Sequence, residues 1–226
     1  EQCLAWPLLD HFRKGDLALA DSYYASYFNM ARLMQQKSNF VFHSHGARAI
    51  DFRTGKKVGK KDHIVTLNRP KKPDWMSDDE YASFPEMIVV RECEISAERP
   101  GYRPTKMVIV TSLTDDGKFS KLDLAALYSE RWEVEVRLRE IKSVLGLDHL
   151  NVKTPEMIDK MIWAFILAYN EIRRIMLEAG KILGKHPIRY SFNNAVKSFG
   201  IWWPELSRAQ TPIEEHEIMV GLLAQI

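Results

Sequence analysis

The sequence predicts an α/β protein, and three observations predict it. Leu17-Ala18-Leu19-Ala20 is a short uninterrupted apolar run, typical of a strand buried on both faces, and it delivers Asp21 at its C-terminal end. Around residues 46 to 117 the chain consists of short alternating or apolar stretches, RAIDF, HIVTL, MIVVRECEI and TKMVIVTSL, separated by Thr54-Gly55, Arg69-Pro70, Pro100-Gly101 and Asp116-Gly117. From Leu124 onward apolar residues recur at helical spacing instead.

In chain order, residues 1–13 read as the last turns of a helix, with Leu4, Leu8, Leu9 and Phe12 apolar, and Gly15 breaks it. The chain begins without Met and inside an element, which points to a fragment. After the LALA strand, Asp21 precedes SYYASYFNMARLMQQK, so a helix is expected over 22–37 with Tyr23, Tyr27, Met30 and Met34 on one side. Two roles are open to Asp21. It suits an N-cap, and it also stands where open α/β sheets gather their ligands, at the C-terminal end of a strand. Asn39 to His45, NFVFHSH, is a strand by its aromatic and β-branched content. His43 and His45 alternate along it, but no third ligand follows at metal-site spacing, so a polar strand face is the better reading.

Ser120 is a cap for a helix running from Leu124 to Leu145 and ending at Gly146. At about 100° per residue, Tyr128, Arg131 and Lys142 fall within roughly 40° of Glu135, so four functional side chains share one stripe. Leu127, Val134, Leu138, Ile141 and Leu145 make a second, apolar stripe for a core, and Glu130, Glu133, Arg137 and Glu140 are left as the solvated face. The helix alone supports a plainer alternative, in which Arg131 and Glu135 are an ordinary surface pair worth about 0.3–0.5 kcal/mol. Trp132 and Arg139 flank the polar stripe. Further helices are expected over 159–183, stopped by Gly184, over 191–199 and over 213–225, with Trp202, Trp203 and Pro204 as packing between the last two.

Composition narrows the class. The 46% hydrophobic content supports a real core, and the richest apolar run, MIWAFILAY, is too short to span a bilayer. Two cysteines, Cys3 and Cys93, without paired spacing fit reduced thiols and a cytoplasmic setting. The net charge of +2 conceals a segregation: nine Lys/Arg against Asp51 and Asp62 lie between Arg48 and Lys72, among them Lys56, Lys57, Lys60 and Lys61. Such a block is either a solvated loop or a surface for polyanions.

With its spacing, Tyr128, two residues, Arg131, three residues, Glu135, six residues, Lys142 resembles the YREK signature of DDE transposases of the insertion sequence 4 type. Arg131-Trp132, the stretch NVKTPEMIDKMIWAFILAYNEIRR and the block GDLALADSYYASY, with Asp21 in the place of the second catalytic aspartate, are also similar to that family. The resemblance implies an RNase H-like fold, incomplete here at the N-terminus, with an all-β insertion and C-terminal helices. The implied division is 1–45 as part of the core, 46–117 as the insertion, 118–150 as the core helix with the motif, and 151–226 as a helical region. It further implies two Mg²⁺ or Mn²⁺ ions per active site, with Asp21 and Glu135 as catalytic metal ligands. Two such ions stabilise the attacking and leaving oxygens of an in-line phosphoryl transfer.

On this expectation Tyr128, Arg131 and Lys142 hold DNA phosphates, Arg139 adds a contact, and the basic block becomes a DNA-backbone surface. Trp132 is either a core residue, the slightly better reading, or a platform on which a base stacks. The implied activity is cut-and-paste cleavage and joining of transposon ends, as a homodimer on DNA. A first aspartate and three core strands are expected before Glu1, and Ser22 stands where the family commonly has Arg. The rival expectations are a non-catalytic DNA-binding remnant and a helical interaction domain.

Overall fold

The computed structural model describes residues 6–97, 103 and 105–226. Leu4 and the Pro100-Gly101 turn signal lie outside the described residues. The chain divides into two compact units, 1–132 and 133–226.

The first unit is built on one six-stranded sheet. Its strands are β1 (Leu17–Ala20), β2 (Asn39–His43), β3 (Lys56–Gly59), β4 (Asp62–Asn68), β5 (Met87–Ala97) and β6 (Thr105–Thr111), in the order β1-β2-β6-β5-β4-β3. The β1–β2 pair is parallel, and every other pair is antiparallel. Alternation along the strands divides the side chains between two cores. Ala18, Phe40, Phe42, Ile88, Val90 and Val110 pack against Phe28, Met30, Ala31 and Leu33, all four from α1 (Tyr27–Gln35). On the other face Val41, Cys93, Ile95 and Ile109 pack against Leu124 and Tyr128 of α3 (Lys121–Ser129). A short helix, α2 (Asp78–Ser83), lies between β4 and β5 in sequence.

The expected strand at RAIDF does not form. Asp51 accepts from Arg53 N and pairs with the Arg53 guanidinium at 2.8 Å, while its carbonyl accepts from Thr54, so the segment closes as a turn. The strand on that side is β3, which starts after Gly55 at φ +72°. The helix expected over 22–37 is also divided. Ser22–Tyr24 form one 3₁₀ turn capped by Asp21, and α1 begins afresh with Ser26 as its cap.

Buried charge ties β4 to β5. Arg91, with 1% of its side chain exposed, donates to both Asp62 carboxylate oxygens at 2.8 and 2.6 Å and to the Phe119 carbonyl at 2.7 Å. Asp62 holds the Arg91 guanidinium firmly in its charged form. On the opposite face Glu92 pairs with His63 at 3.0 Å and with Arg48 at 2.8 Å.

The second unit is helical: α5 (Pro155–Leu183), α6 (Phe192–Leu206) and α7 (Pro212–Ala224). Ile172 and Met176 meet Phe192 and Ala195, while Ile175 and Ala179 meet Leu222 and Leu223. Thr154 caps α5 with Pro155 in its first turn, and Gly184 ends it at φ +64°. Trp202, Trp203 and Pro204, expected between helices, lie inside α6. Among the described residues no helix is long and apolar enough to cross a membrane.

Candidate active site and basic surface

The motif-bearing segment is not one uniform helix. After α3, capped by a reciprocal Ser120–Asp123 box, the ladder is interrupted at Glu130; α4 (Arg131–Arg139) follows, then a π turn over Glu140–Val144 closed by Leu145 N donating to Glu140 O. Gly146, at φ +87°, ends the segment as expected. The boundary between the compact units falls inside α4, after Trp132, so Tyr128 and Arg131 belong to the first unit and Glu135 and Lys142 to the second.

Two expectations for this segment are corrected. Val134 and Leu138, placed on the core stripe, are 59% and 49% exposed. Leu127 packs in the sheet's core and Leu145 in the helical one, so no single stripe faces a single core. Glu140, assigned to the solvated face, is buried and receives Arg137, Arg173 and the Tyr169 hydroxyl. The widened π turn advances each residue by less than the regular helical angle, and α5 presents its guanidinium there.

Within the first unit, the C-terminal ends of β1 and β2 gather polar chemistry. Asp21 follows Ala20, and His43 stands one position beyond the last β1–β2 pair, Ala20↔Phe42. Asp21 Oδ1 accepts from Tyr23 N at 2.9 Å, and the residue is otherwise exposed. Capping thus uses one carboxylate oxygen, and both roles foreseen for Asp21 remain compatible. The Tyr128 ring, almost fully buried, lies 6.5 Å from that of His43, and the Arg131 guanidinium lies 5.8 Å from the Tyr128 ring. Burial, then the charge of Arg131, lowers the pKa of His43, and Asp21 opposes them.

Trp132 is half-buried against the sheet's core with Arg131 5.7 Å from its ring, which fits the packing role. Glu135, Arg139 and Lys142 are exposed. His43 was legible only as part of a polar strand face. His45 caps its own turn, its ring nitrogen accepting from Ala47 N at 3.1 Å.

The sheet sorts the basic block. Arg48 is paired with Glu92, Arg53 with Asp51, Lys61 with Glu94 and Lys72 with Asp78, while Arg69 donates to the carbonyls of Tyr81 and Phe84. Lys56, Lys57, Lys60 and Lys71 are exposed and have no ion-pair partner among the described residues.

Residues 3–170 match the family model described as Transposase DDE domain. The chain belongs to that family. The resemblance read from the sequence, to DDE transposases of the insertion sequence 4 type, is borne out at that level. This DDE domain is 29% identical over 145 residues to the transposase InsG for insertion sequence element IS4 of Escherichia coli K12, covering 62% of this chain and 30% of the relative. It is 37% identical over 62 residues to the putative transposase InsL for insertion sequence element IS186A of the same strain, covering 27% of this chain and 16% of that protein. The same identity over the same length relates it to the transposase for insertion sequence element IS421 of Escherichia coli. The chain spans less than a third of the length of these curated relatives.

Carboxylate oxygens suit Mg²⁺ or Mn²⁺, and Asp21 offers one at an open strand end. Among the described residues no group of three or more His, Cys, Asp and Glu side chains is placed to hold a metal ion. The Asp21 carboxylate is thus an oxygen donor of the kind such an ion takes.

Proposed function

We propose that this chain is the C-terminal portion of a transposase catalytic domain that cleaves and joins DNA ends by metal-dependent phosphoryl transfer in a cut-and-paste reaction. The observation that carries the reading is the gathering of Asp21, Tyr128 and Arg131 around His43 at the C-terminal ends of β1 and β2, in a chain of the DDE family. On this reading residues 1–45, with β1, β2 and α1, are part of an RNase H-like core, residues 46–117, with β3 to β6, its insertion, 118–150 the core segment bearing the motif, and 151–226 a helical region.

Asp21 and Glu135 would hold divalent ions, two per site, whose chemistry is to neutralise charge on the attacking and leaving oxygens. The family's third carboxylate is a further aspartate besides Asp21 and Glu135. Arg131 gives a planar two-point contact for a DNA phosphate, Lys142 a point charge, and Tyr128 a hydroxyl. Arg139 and the exposed Lys56, Lys57 and Lys60 extend the phosphate contacts, with Lys61 alongside them. Trp132 serves mainly to set Arg131 against the core. DNA ends and target DNA are the substrates, the working form on DNA is a homodimer, and the setting is the bacterial cytoplasm.

The test is Glu135→Ala in the complete transposase. Cleavage of transposon ends with Mg²⁺ or Mn²⁺ is expected to vanish while end binding persists, and retained cleavage refutes the assignment.

A further inference from the structure

The strands place more of the basic surface at the Asp21 end of the sheet than the linear block shows. β1 and β2 are parallel, so Asp21 and His43 leave the sheet at the same end. β6 runs antiparallel to β2, with Ile109 opposite His43, so the start of β6, including Lys106, projects beyond that end. β5 ends there too, Ser96 lying opposite Lys106. The β3–β4 turn, Lys60-Lys61, closes at the same end, because Asp62 pairs with Cys93 and Lys61 O accepts from Glu94 N at 2.9 Å.

Lys121, at the start of α3, donates its ammonium to the Lys60 carbonyl at 3.1 Å, which joins a fourth element to the group. Glu94 is the carboxylate among them: its Oε2 holds Lys61 at 2.6 Å, and Lys106 and Lys121 are close enough to help depress its pKa. Three lysines, Lys61, Lys106 and Lys121, thus surround one glutamate, and Lys60 lies beside them in the β3–β4 turn.

We propose that Lys60, Lys106 and Lys121, with Lys61 oriented by Glu94, form a phosphate-backbone track for duplex DNA along the sheet end that carries Asp21. The inference rests on the reading of this chain as acting on DNA, and it deepens that reading by locating the path of the flanking duplex. From β1 to β4 there are four strand intervals of about 4.8 Å each, or roughly 19 Å. At about 3.4 Å per base pair this spans roughly five to six base pairs, a length over which one backbone can follow one rim. Lys106 is exposed and Lys121 half-exposed, and neither has a carboxylate ion-pair partner among the described residues, so both ammonium groups are available to phosphates.

The test uses the full 226-residue chain, a 30-base-pair duplex and the matching single strand, by fluorescence anisotropy without divalent metal across a salt series. Lys106→Ala/Lys121→Ala should lower the salt-dependence slope for duplex binding by about 1.8, about 0.9 for each lost phosphate contact. Arg13→Ala/Lys14→Ala, at the opposite end of β1, removes the same charge and should leave the slope within about 0.3 of wild type. Equal effects of the two pairs overturn the track while leaving the DNA reading intact. An unchanged duplex slope with a weakened single-strand affinity overturns the choice of duplex. Absence of wild-type binding to either probe at low salt refutes the track and the DNA partner together.

Discussion

Removing Asp62 should expose how much of the sheet depends on one buried ion pair. Asp62→Ala leaves the Arg91 guanidinium, 1% exposed, with the Phe119 carbonyl in place of two carboxylate oxygens at 2.8 and 2.6 Å. Two charge-assisted hydrogen bonds at about 1.5–3 kcal/mol each agree with the roughly 3–5 kcal/mol lost when a buried pair is broken on one side. That is a large share of an ordinary domain's stability of about 5–15 kcal/mol. Hydrogen exchange reads it inside the first unit: the slowest β4 and β5 amides should exchange about two to four orders of magnitude faster. Replacing both partners, Asp62→Leu with Arg91→Met, should recover most of the loss, since apolar substitutes avoid the desolvation of two charges. An Asp62→Ala variant within about 1 kcal/mol of wild type, or a double variant no better than the single one, refutes the reasoning.

Two further outcomes separate structural from functional groups. Glu140→Ala should cost about 2 kcal/mol in urea unfolding, because Arg137, Arg173 and Tyr169 converge on its buried carboxylate, whereas Glu135→Ala, on an exposed position, should cost under about 1 kcal/mol; equal losses would contradict the division. Burial pushes the Cys93 thiol up to about 12, so its folded value lies above its unfolded one. The associated stability is then complete below about pH 9 and is lost as pH rises towards 12. In a Cys3→Ser background, Cys93 should resist alkylation at pH 8 until the chain unfolds, and native-state labelling at the unfolded rate would contradict this.

How far the sequence reveals the fold depends on whether its signals are local. LALA and NFVFH declare strands because both of their faces are apolar, and the structure puts a core on each side of them. RAIDF has a similar look, yet Asp51 bonds its own neighbours, and local side-chain chemistry outweighs the alternation. The helical wheel already fails within α4, where Val134 and Leu138 are exposed, and again past Arg139, where a π turn changes the rotation per residue and Glu140 joins a cluster with Arg173, 33 residues further on. His43 reads as an ordinary polar strand residue until the parallel register with β1 places it beside Asp21, a pairing that no local pattern encodes. The charge of the basic block is legible, but its sorting is not. Which lysines remain available depends on partners such as Glu94 and Asp78, which lie on other elements.

The two margins of the sheet follow opposite rules for self-association. β3 is four residues long, begins with Lys56 and Lys57, and shifts register between Lys57 and Gly59, so a foreign strand meets charge and a kink. β1 is Leu-Ala-Leu-Ala, carries no charge, and among the described residues pairs only with β2. Among the described residues its outer backbone is the uncharged margin, where an extended segment adds without breaking an existing pair. A lysine introduced at Leu17 or Leu19 would charge that margin as Lys56 and Lys57 charge β3, at the expense of the apolar contacts those side chains make on the α3 face.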